Sequence, residues 1–298
     1  MNRRKFIYNS SIASLSVLGL NSCTQLFRDV KITILHSNDV HSQIEPFPVN
    51  HNRFPGRGGF ARRANIFNEI RSVNPNTLIF DAGDIFQGTP YFNFFQGELE
   101  LKLMKEMGYN AATIGNHEFD AGLDTLKRNI LSTNFQFIIS NYDFVNTELE
   151  GLTTPYKIYK KEGVKIGVFG LGIELRGLVN PILYKETKYY DPIEISDEMV
   201  KILKDQKKCD LIICVSHLGH EYNSNKISDS KLAQLTSDID LIIGGHTHTF
   251  LKEPLITKNK KNKNVIINQV GSGGVYLGRI DFNFTNSSKI DTNSLLEV

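Results

Sequence analysis

Ala111-Ala112-Thr113-Ile114-Gly115-Asn116-His117-Glu118-Phe119-Asp120 runs from a short apolar stretch directly into an amide, an imidazole and a carboxylate. A β-strand that delivers such groups at its end belongs to an α/β fold, in which ligands gather beyond the carboxyl ends of the strands. Four other stretches repeat the arrangement. Lys31 to Ser37 delivers Asp39 and His41, and Thr77 to Phe80 runs into Asp84. Asp210 to Ser216 ends at His217, and Ile239 to Ile243 leads to His246 and His248.

Between these strands the periodicity predicts helices over Phe60 to Ser72, Glu98 to Met107, Ala121 to about Leu131, Ile195 to Asp205 and Ser230 to Thr236. Tyr156 to Lys160 and Val164 to Leu171 flank Lys161-Glu162-Gly163 and read as a hairpin. Gln136 to Ser140, Val265 to Val270 and Val275 to Phe284 read as further strands, and Gly172 to Pro192 as irregular. The aromatic cluster Tyr91, Phe92, Phe94 and Phe95 is expected to pack into the core or its lip. The run Lys258 to Asn264 reads as a solvated hairpin tip.

A single post-strand Asp often caps the next helix, and a lone His is usually packed or solvated. Five such coincidences at equivalent places point to one site. Five of the eight histidines fall in these motifs, which leaves His36, His51 and His220 as structural or surface residues. Residues two apart in extended backbone share a side, so Asp39 and His41 can reach one ion.

Carboxylate, imidazole and one amide oxygen, without thiolate, suit Mn, Zn, Fe, Co or Mg. Seven donors exceed the needs of one small ion. Two ions sharing Asp84 fit the count, with Asp39, His41, Asp84 and His248 around one and Asp84, Asn116, His217 and His246 around the other. Two divalent ions against the charges of Asp39 and Asp84 leave about two positive charges for an anionic phosphoryl group. Ions ~3.5–4 Å apart also acidify water, which would supply a hydroxide for in-line attack on phosphorus. His117, beside a ligand but pointing elsewhere, is expected to serve the leaving oxygen as acid, with Asp120 orienting its other nitrogen. The competing role for His117 is an additional metal ligand.

A length of 298 residues allows a full core, and a net charge of +2 gives no global field for nucleic acid. Cys209 and Cys214 lie roughly 16 Å apart along one strand, too far for a disulfide, so they read as free core thiols. Residues 1–22 read as an export signal with basic Arg3-Arg4-Lys5 followed by an apolar stretch too short to span a bilayer. Leu20-Asn21-Ser22-Cys23 resembles a bacterial lipobox and Asn2-Arg3-Arg4-Lys5-Phe6-Ile7 a twin-arginine signal. The expectation is a cell-envelope protein, in the periplasm or on the outer surface, anchored to the membrane by lipid on Cys23. Residues 23–30 form its tether and 31–298 its domain.

The motifs, in this order, resemble the metallophosphoesterase domain of the bacterial 5′-nucleotidase/UDP-sugar hydrolase family, within the calcineurin-like phosphoesterases. The matching stretches are Asn38 to His41, Gly83 to Gly88, Gly115 to Glu118, Ser216 to Gly219 and Gly244 to His248. Gly58 to Arg62 and Tyr276 to Arg279 also resemble that family. The resemblance implies a four-layer α-β-β-α sandwich, the metal assignments given above, and a His117–Asp120 catalytic dyad. It also implies a C-terminal specificity domain; the expectation is that a separately encoded chain supplies it, the alternative being an enzyme that takes smaller or more varied phosphoesters.

The expected activity is therefore phosphomonoester hydrolysis, on nucleotides. The alternatives are a phosphodiesterase acting on 2′,3′-cyclic nucleotides or UDP-sugars, and a non-catalytic surface lipoprotein that captures nucleotides or metal. A pure binder needs the donors but no acid aimed at a leaving group, so His117 with Asp120 discriminates against it.

Overall fold

The computed structural model describes residues 29–285 and 289–298. The expected export signal and lipidated Cys23 lie outside the described residues. Two six-stranded sheets face each other. The first has strand order β14-β13-β1-β2-β3-β4 and the second β11-β12-β10-β9-β7-β6.

In chain order the first sheet is built from β1 (Val30–Ser37), β2 (Thr77–Asp81), β3 (Ala111–Ala112) and β4 (Gln136–Phe137), all parallel. A two-stranded ribbon of β5 (Tyr142–Asp143) and β8 (Lys188–Tyr189) stands apart from both sheets. The second sheet holds the hairpin β6 (Tyr156–Lys161) and β7 (Val164–Leu171), then β9 (Leu211–Ser216), β10 (Leu241–Ile243), β11 (Leu255–Lys258) and β12 (Asn264–Asn268). In it β7, β9, β10 and β12 are parallel. The chain returns to the first sheet as β13 (Tyr276–Phe284) and β14 (Lys289–Glu297), both antiparallel to their neighbours.

Strand alternation builds three apolar layers, because successive side chains face opposite sides. Ile32, Ile34, Leu78 and Phe80 meet Val168, Ile213, Leu241 and Ile243 between the sheets. Leu35 and Ile79 face outward onto α1 (Phe60–Val73), α3 (Glu98–Met107) and α4 (Gly122–Ser132) through Phe67, Leu101, Met104 and Leu126. The short helix α2 (Pro90–Phe95) precedes α3. On the other sheet, Ile212, Cys214 and Ile242 face Met199, Leu203 and Leu232. These come from α6 (Pro192–Val200), its π-helical continuation Lys201–Gln206, and α7 (Asp229–Leu235), after a single turn α5 (Pro181–Tyr184). Strands buried on both faces explain their near-continuous apolar runs. The result is the expected four-layer sandwich, and Cys209 and Cys214 are buried free thiols as expected.

Several boundaries differ from the sequence expectation. β3 has two residues rather than four, and beyond it Gly115 passes close against Asp84. Helix α6 begins at Pro192, where the Asp191 side chain caps the N–H groups of Ile193 and Glu194. The strand β14 was not expected. It lies at a sheet edge, where Thr292, Asn293 and Ser294 are exposed and polar and give the sequence no apolar alternation. Of the aromatic cluster, Phe92 stacks on Phe86 at 5.9 Å, whereas Phe94 is 81% exposed, so packing holds for only part of it.

Candidate metal centre

The parallel strands of both sheets end at the same edge of the sandwich, and their carboxyl ends converge. The first sheet supplies Asp39, His41, Asp84 and Asn116, and the second supplies His217, His246 and His248. Three triplets of donor atoms each lie within 4.8 Å of one another: Asp39, His41 and His248; His41, Asp84 and His117; and Asp84, His217 and His246. Asn116 joins them through its Oδ1, 2.9 Å from His246 Nδ1. All seven expected donors are thus brought together. His117 also reaches a triplet, although its Nδ1 is engaged by Asp120 Oδ2 at 2.7 Å.

Local backbone conformation explains how short loops aim so many groups inward. Asp39, His41, Asp84, His246 and His248 all have φ between 49° and 73°. That left-handed region costs a non-glycine residue roughly 1–3 kcal/mol, so surrounding bonds must hold it. Gly115 is required for the close approach: a Cβ there would stand 2.3 Å from Asp84 Oδ1.

Glu118 was read from sequence only as part of a motif, and it organises this region. Its buried carboxylate accepts backbone N–H bonds from Gly115 at 2.6 Å and Asp84 at 2.9 Å through Oε2. Through Oε1 it accepts from Ile85 at 2.7 Å and Phe86 at 3.3 Å. One side chain therefore ties the loop after β3 to the loop after β2. Asn38 works similarly on the other side, donating from Nδ2 to Asp39 Oδ2 at 2.6 Å and to the Gly271 carbonyl at 2.7 Å.

The donors are presented as a cation requires. His217 Nδ1 lies 2.6 Å from the Ala82 carbonyl, which can only accept, so Nδ1 carries a proton and Nε2 is the nitrogen that faces inward. That Nε2 is 3.0 Å from Asp84 Oδ2, yet it is a buried atom without a well-formed hydrogen bond. His41 repeats the pattern: Nδ1 is 3.2 Å from the Phe86 carbonyl and Nε2 is 2.9 Å from His248 Nε2. Lone pairs facing each other at such distances fit a cation between them.

Protonation follows the same logic. Burial holds His41 down at about 4 and His246 at about 3, so both are neutral ligands at pH 7. Burial alone would raise Asp84, but the adjacent His217 pulls it below the usual carboxylate range. Burial pushes Asp39 well above that range, since a second buried carboxylate cannot ionise easily without a positive partner. His217 is carried up to about 10, against its burial, by Asp84.

The chain matches the calcineurin-like phosphoesterase family over residues 32–250. It belongs to that family. The 5′-nucleotidase of Vibrio cholerae is 32% identical over 280 residues, covering 86% of this chain and 49% of that one. The snake venom 5′-nucleotidase of Gloydius brevicauda is 30% identical over 289 residues, covering 89% and 47%. Among solved structures, the 5′-nucleotidase precursor of Thermus thermophilus superposes with a TM-score of 0.80 at 29% identity, covering 90% of this chain and 55% of that one. The chain spans about half the length of the curated relatives it matches. As a calcineurin-like phosphoesterase domain it has the family and fold expected from the five strand-end motifs.

Proposed function

We propose that this chain is an exported, lipid-anchored phosphomonoesterase that acts on nucleotides and uses two divalent metal ions. The observation that carries the reading is the convergence of seven metal-binding side chains at the strand ends, with His117 and Asp120 beside them. Asp39, His41, Asp84 and His248 would hold one ion and Asp84, Asn116, His217 and His246 the other. Bound there, divalent cations supply Lewis-acid charge to a phosphoryl oxygen and acidify water.

The remaining steps belong to the protein. Asp84 stands between the two donor sets and fixes their separation, while Glu118 and Asn38 keep the strained loops in place. His117 is 32% exposed and Asp120 28%, so the dyad is open to substrate. With Nδ1 bonded to Asp120, Nε2 is the free nitrogen, suited to donate a proton or hydrogen bond to the departing ester oxygen. The Asp120 hydrogen bond and the Asp84 charge raise His117 against its burial, which favours the protonated, donating form. The sequence relatives named 5′-nucleotidase support nucleotides as the substrate class.

The test is phosphate release by the purified protein with Mn²⁺, comparing AMP, UDP-glucose, 2′,3′-cyclic AMP and p-nitrophenyl phosphate, with Asp84→Ala and His117→Ala beside it. AMP is expected to be hydrolysed fastest, with both substitutions abolishing most activity. Faster turnover of the cyclic diester would replace this reading with phosphodiesterase. Two bound metals without hydrolysis of any substrate would leave a binding protein.

A further inference from the structure

The parallel strands carry the metal donors at their carboxyl ends, so their amino ends gather at the opposite edge of the sandwich, and that edge is rich in lysine. Lys160 and Lys161 come from the β6–β7 turn, Lys165 from the start of β7, and Lys204, Lys207 and Lys208 from the segment that leads into β9. Three of them rest on carbonyl oxygens, which bring no full negative charge: Lys161 Nζ on Pro75 at 3.1 Å, Lys165 Nζ on Lys207 at 3.3 Å and Lys204 Nζ on Cys209 at 3.4 Å. Glu162, Asp205 and Asp210 are the carboxylates among these six lysines, so positive charge is in excess. The neighbouring turn, residues 259–263, adds three lysines that Asp197, Asp238 and Asp240 balance. The fold as a whole has the opposite sign. Without Arg3, Arg4, Lys5 and Arg28, the 34 Lys and Arg fall to 30 against 32 Asp and Glu.

The chain enters the fold at this same edge. β1 begins at Val30, and its parallel neighbour β2 is preceded by Asn74-Pro75-Asn76. Asn74 Nδ2 donates to the Lys31 carbonyl at 3.2 Å, and Asn76 Nδ2 donates to Glu162 Oε1 at 3.0 Å. Together with the Lys161–Pro75 contact, these bonds seat the lysine-bearing turn of the second sheet against the entry strands of the first. Seven residues, the distance in sequence from Cys23 to Val30, reach at most ~25 Å. A lipid on Cys23 therefore keeps the lysine edge close to the bilayer.

We propose that the lysine edge is a membrane-docking surface, which lies against anionic phospholipid headgroups and holds the donor cluster away from the bilayer. The proposal rests on the lipid-anchored reading for where the membrane lies. Each lysine close to an anionic lipid surface strengthens binding about fivefold, and the attraction fades over a Debye length, about 10 Å at 0.1 M salt. A lipid chain and a basic patch together anchor a protein more firmly than a single chain does. The position of the patch at the chain entry, rather than its charge alone, selects lipid over nucleic acid as the polyanion. β1 runs eight residues from this edge to the donors, roughly 26 Å. The donor cluster thus stands more than two Debye lengths from the headgroups, and an anionic ester approaches it without repulsion from the lipid charge.

Co-sedimentation with vesicles tests it. The whole chain carrying Cys23→Ser is used, so that no acyl group contributes and residues 1–22 are common to every sample. Its partition onto phosphatidylcholine vesicles containing about one third phosphatidylglycerol is divided by its partition onto phosphatidylcholine alone. Neutralising the edge with Lys160→Gln, Lys207→Gln and Lys208→Gln together is expected to lower this ratio roughly 10- to 100-fold. Raising salt from ~0.05 to ~0.3 M is expected to lower it as well. Lys102→Gln, Lys127→Gln and Lys252→Gln together remove the same charge from exposed positions on α3, α4 and the loop after β10, and are expected to keep the ratio. Both triple variants are expected to hydrolyse AMP in solution at the parental rate. A parental ratio in the edge variant, or equal falls in both variants, would overturn the docking surface. So would binding of a DNA duplex that the edge variant loses, without any preference for phosphatidylglycerol. Failure of the anchor reading looks different: the intact mass of the wild-type chain would show Cys23 without an acyl adduct, and the vesicle ratio would still decide the surface.

Discussion

The donor cluster has a deep half and a rim half, and they are built differently. His217 and Asp84 are 0% and 2% exposed, whereas His248 is 46% exposed. In the deep half each donor has a second anchor: the Ala82 carbonyl behind His217, and the His117 backbone N–H donating to Asp84 Oδ1 at 2.9 Å. At the rim, His248 Nε2 meets Asp39 at 3.5 Å and His41 at 2.9 Å, and its other side opens on a cavity. A buried, anchored half suits permanent retention of charge, and an open half suits groups that must accommodate an arriving substrate.

The sharpest way to break this comparison is to remove one donor from each half while keeping size. Asp84→Asn deletes the carboxylate that both proposed donor sets share. It is expected to lower kcat/KM on AMP by ~10³-fold or more, since several kcal/mol of transition-state stabilisation are at stake. His248→Asn is expected to cost roughly 10- to 100-fold, on the scale of losing one supporting group around a metal. Steady-state rates at saturating Mn²⁺, with elemental analysis of bound metal, separate the two. Equal losses of rate and metal in both variants would mean that depth does not matter and the comparison is wrong.

Glu118 sharpens it further, because it stabilises the deep half without being a donor. Glu118→Gln replaces one carboxylate oxygen by an NH₂ group, which would face two backbone N–H groups that cannot accept from it. At ~1–3 kcal/mol per buried unsatisfied group, about 3 kcal/mol or more of stability should be lost. For a domain of this size that corresponds to a fall in Tm of roughly 6–12 °C. Thermal unfolding of the metal-free protein measures it, and a Tm within ~2 °C of wild type would show that Glu118 is dispensable.

The same contrast explains what could be read from the sequence. Donors are legible because each combines a metal-binding residue type with a place at the end of an apolar strand, and five repeats of that coincidence leave little room for chance. The sheets are legible because double-sided burial writes continuous apolar runs. Glu118 is not, since an acidic residue next to His117 looks like any solvated carboxylate until packing buries it against four N–H groups. The bracing role of Asn38 and the cavity beside His248 depend on Gly271, Phe250 and Tyr276, which lie more than 200 residues from Asn38. Contacts of that range carry no local period. β14 escaped because an exposed edge strand needs no apolar alternation.

The smallest effect expected comes from His36, which lies under the cluster, between the sheets, and takes no part in it. Its Nε2 accepts from Asn268 Nδ2 at 2.9 Å, and Gly278 is there because a Cβ would come within 1.9 Å of that nitrogen. Burial lowers its pKa from 6.5 to about 3. Below pH 6.5 the unfolded chain binds a proton on His36 that the folded chain refuses, so acid favours unfolding. The penalty grows as pH falls from about 6.5 towards 3 and is constant below that. At pH 5 it amounts to about 2 kcal/mol. His36→Gln keeps an acceptor for Asn268 but cannot titrate, so its stability should fall by about 2 kcal/mol less than wild type between pH 7 and pH 5. Urea unfolding of both metal-free proteins at the two pH values measures the difference, and parallel losses would show that His36 takes up a proton in the folded state as readily as in the unfolded one.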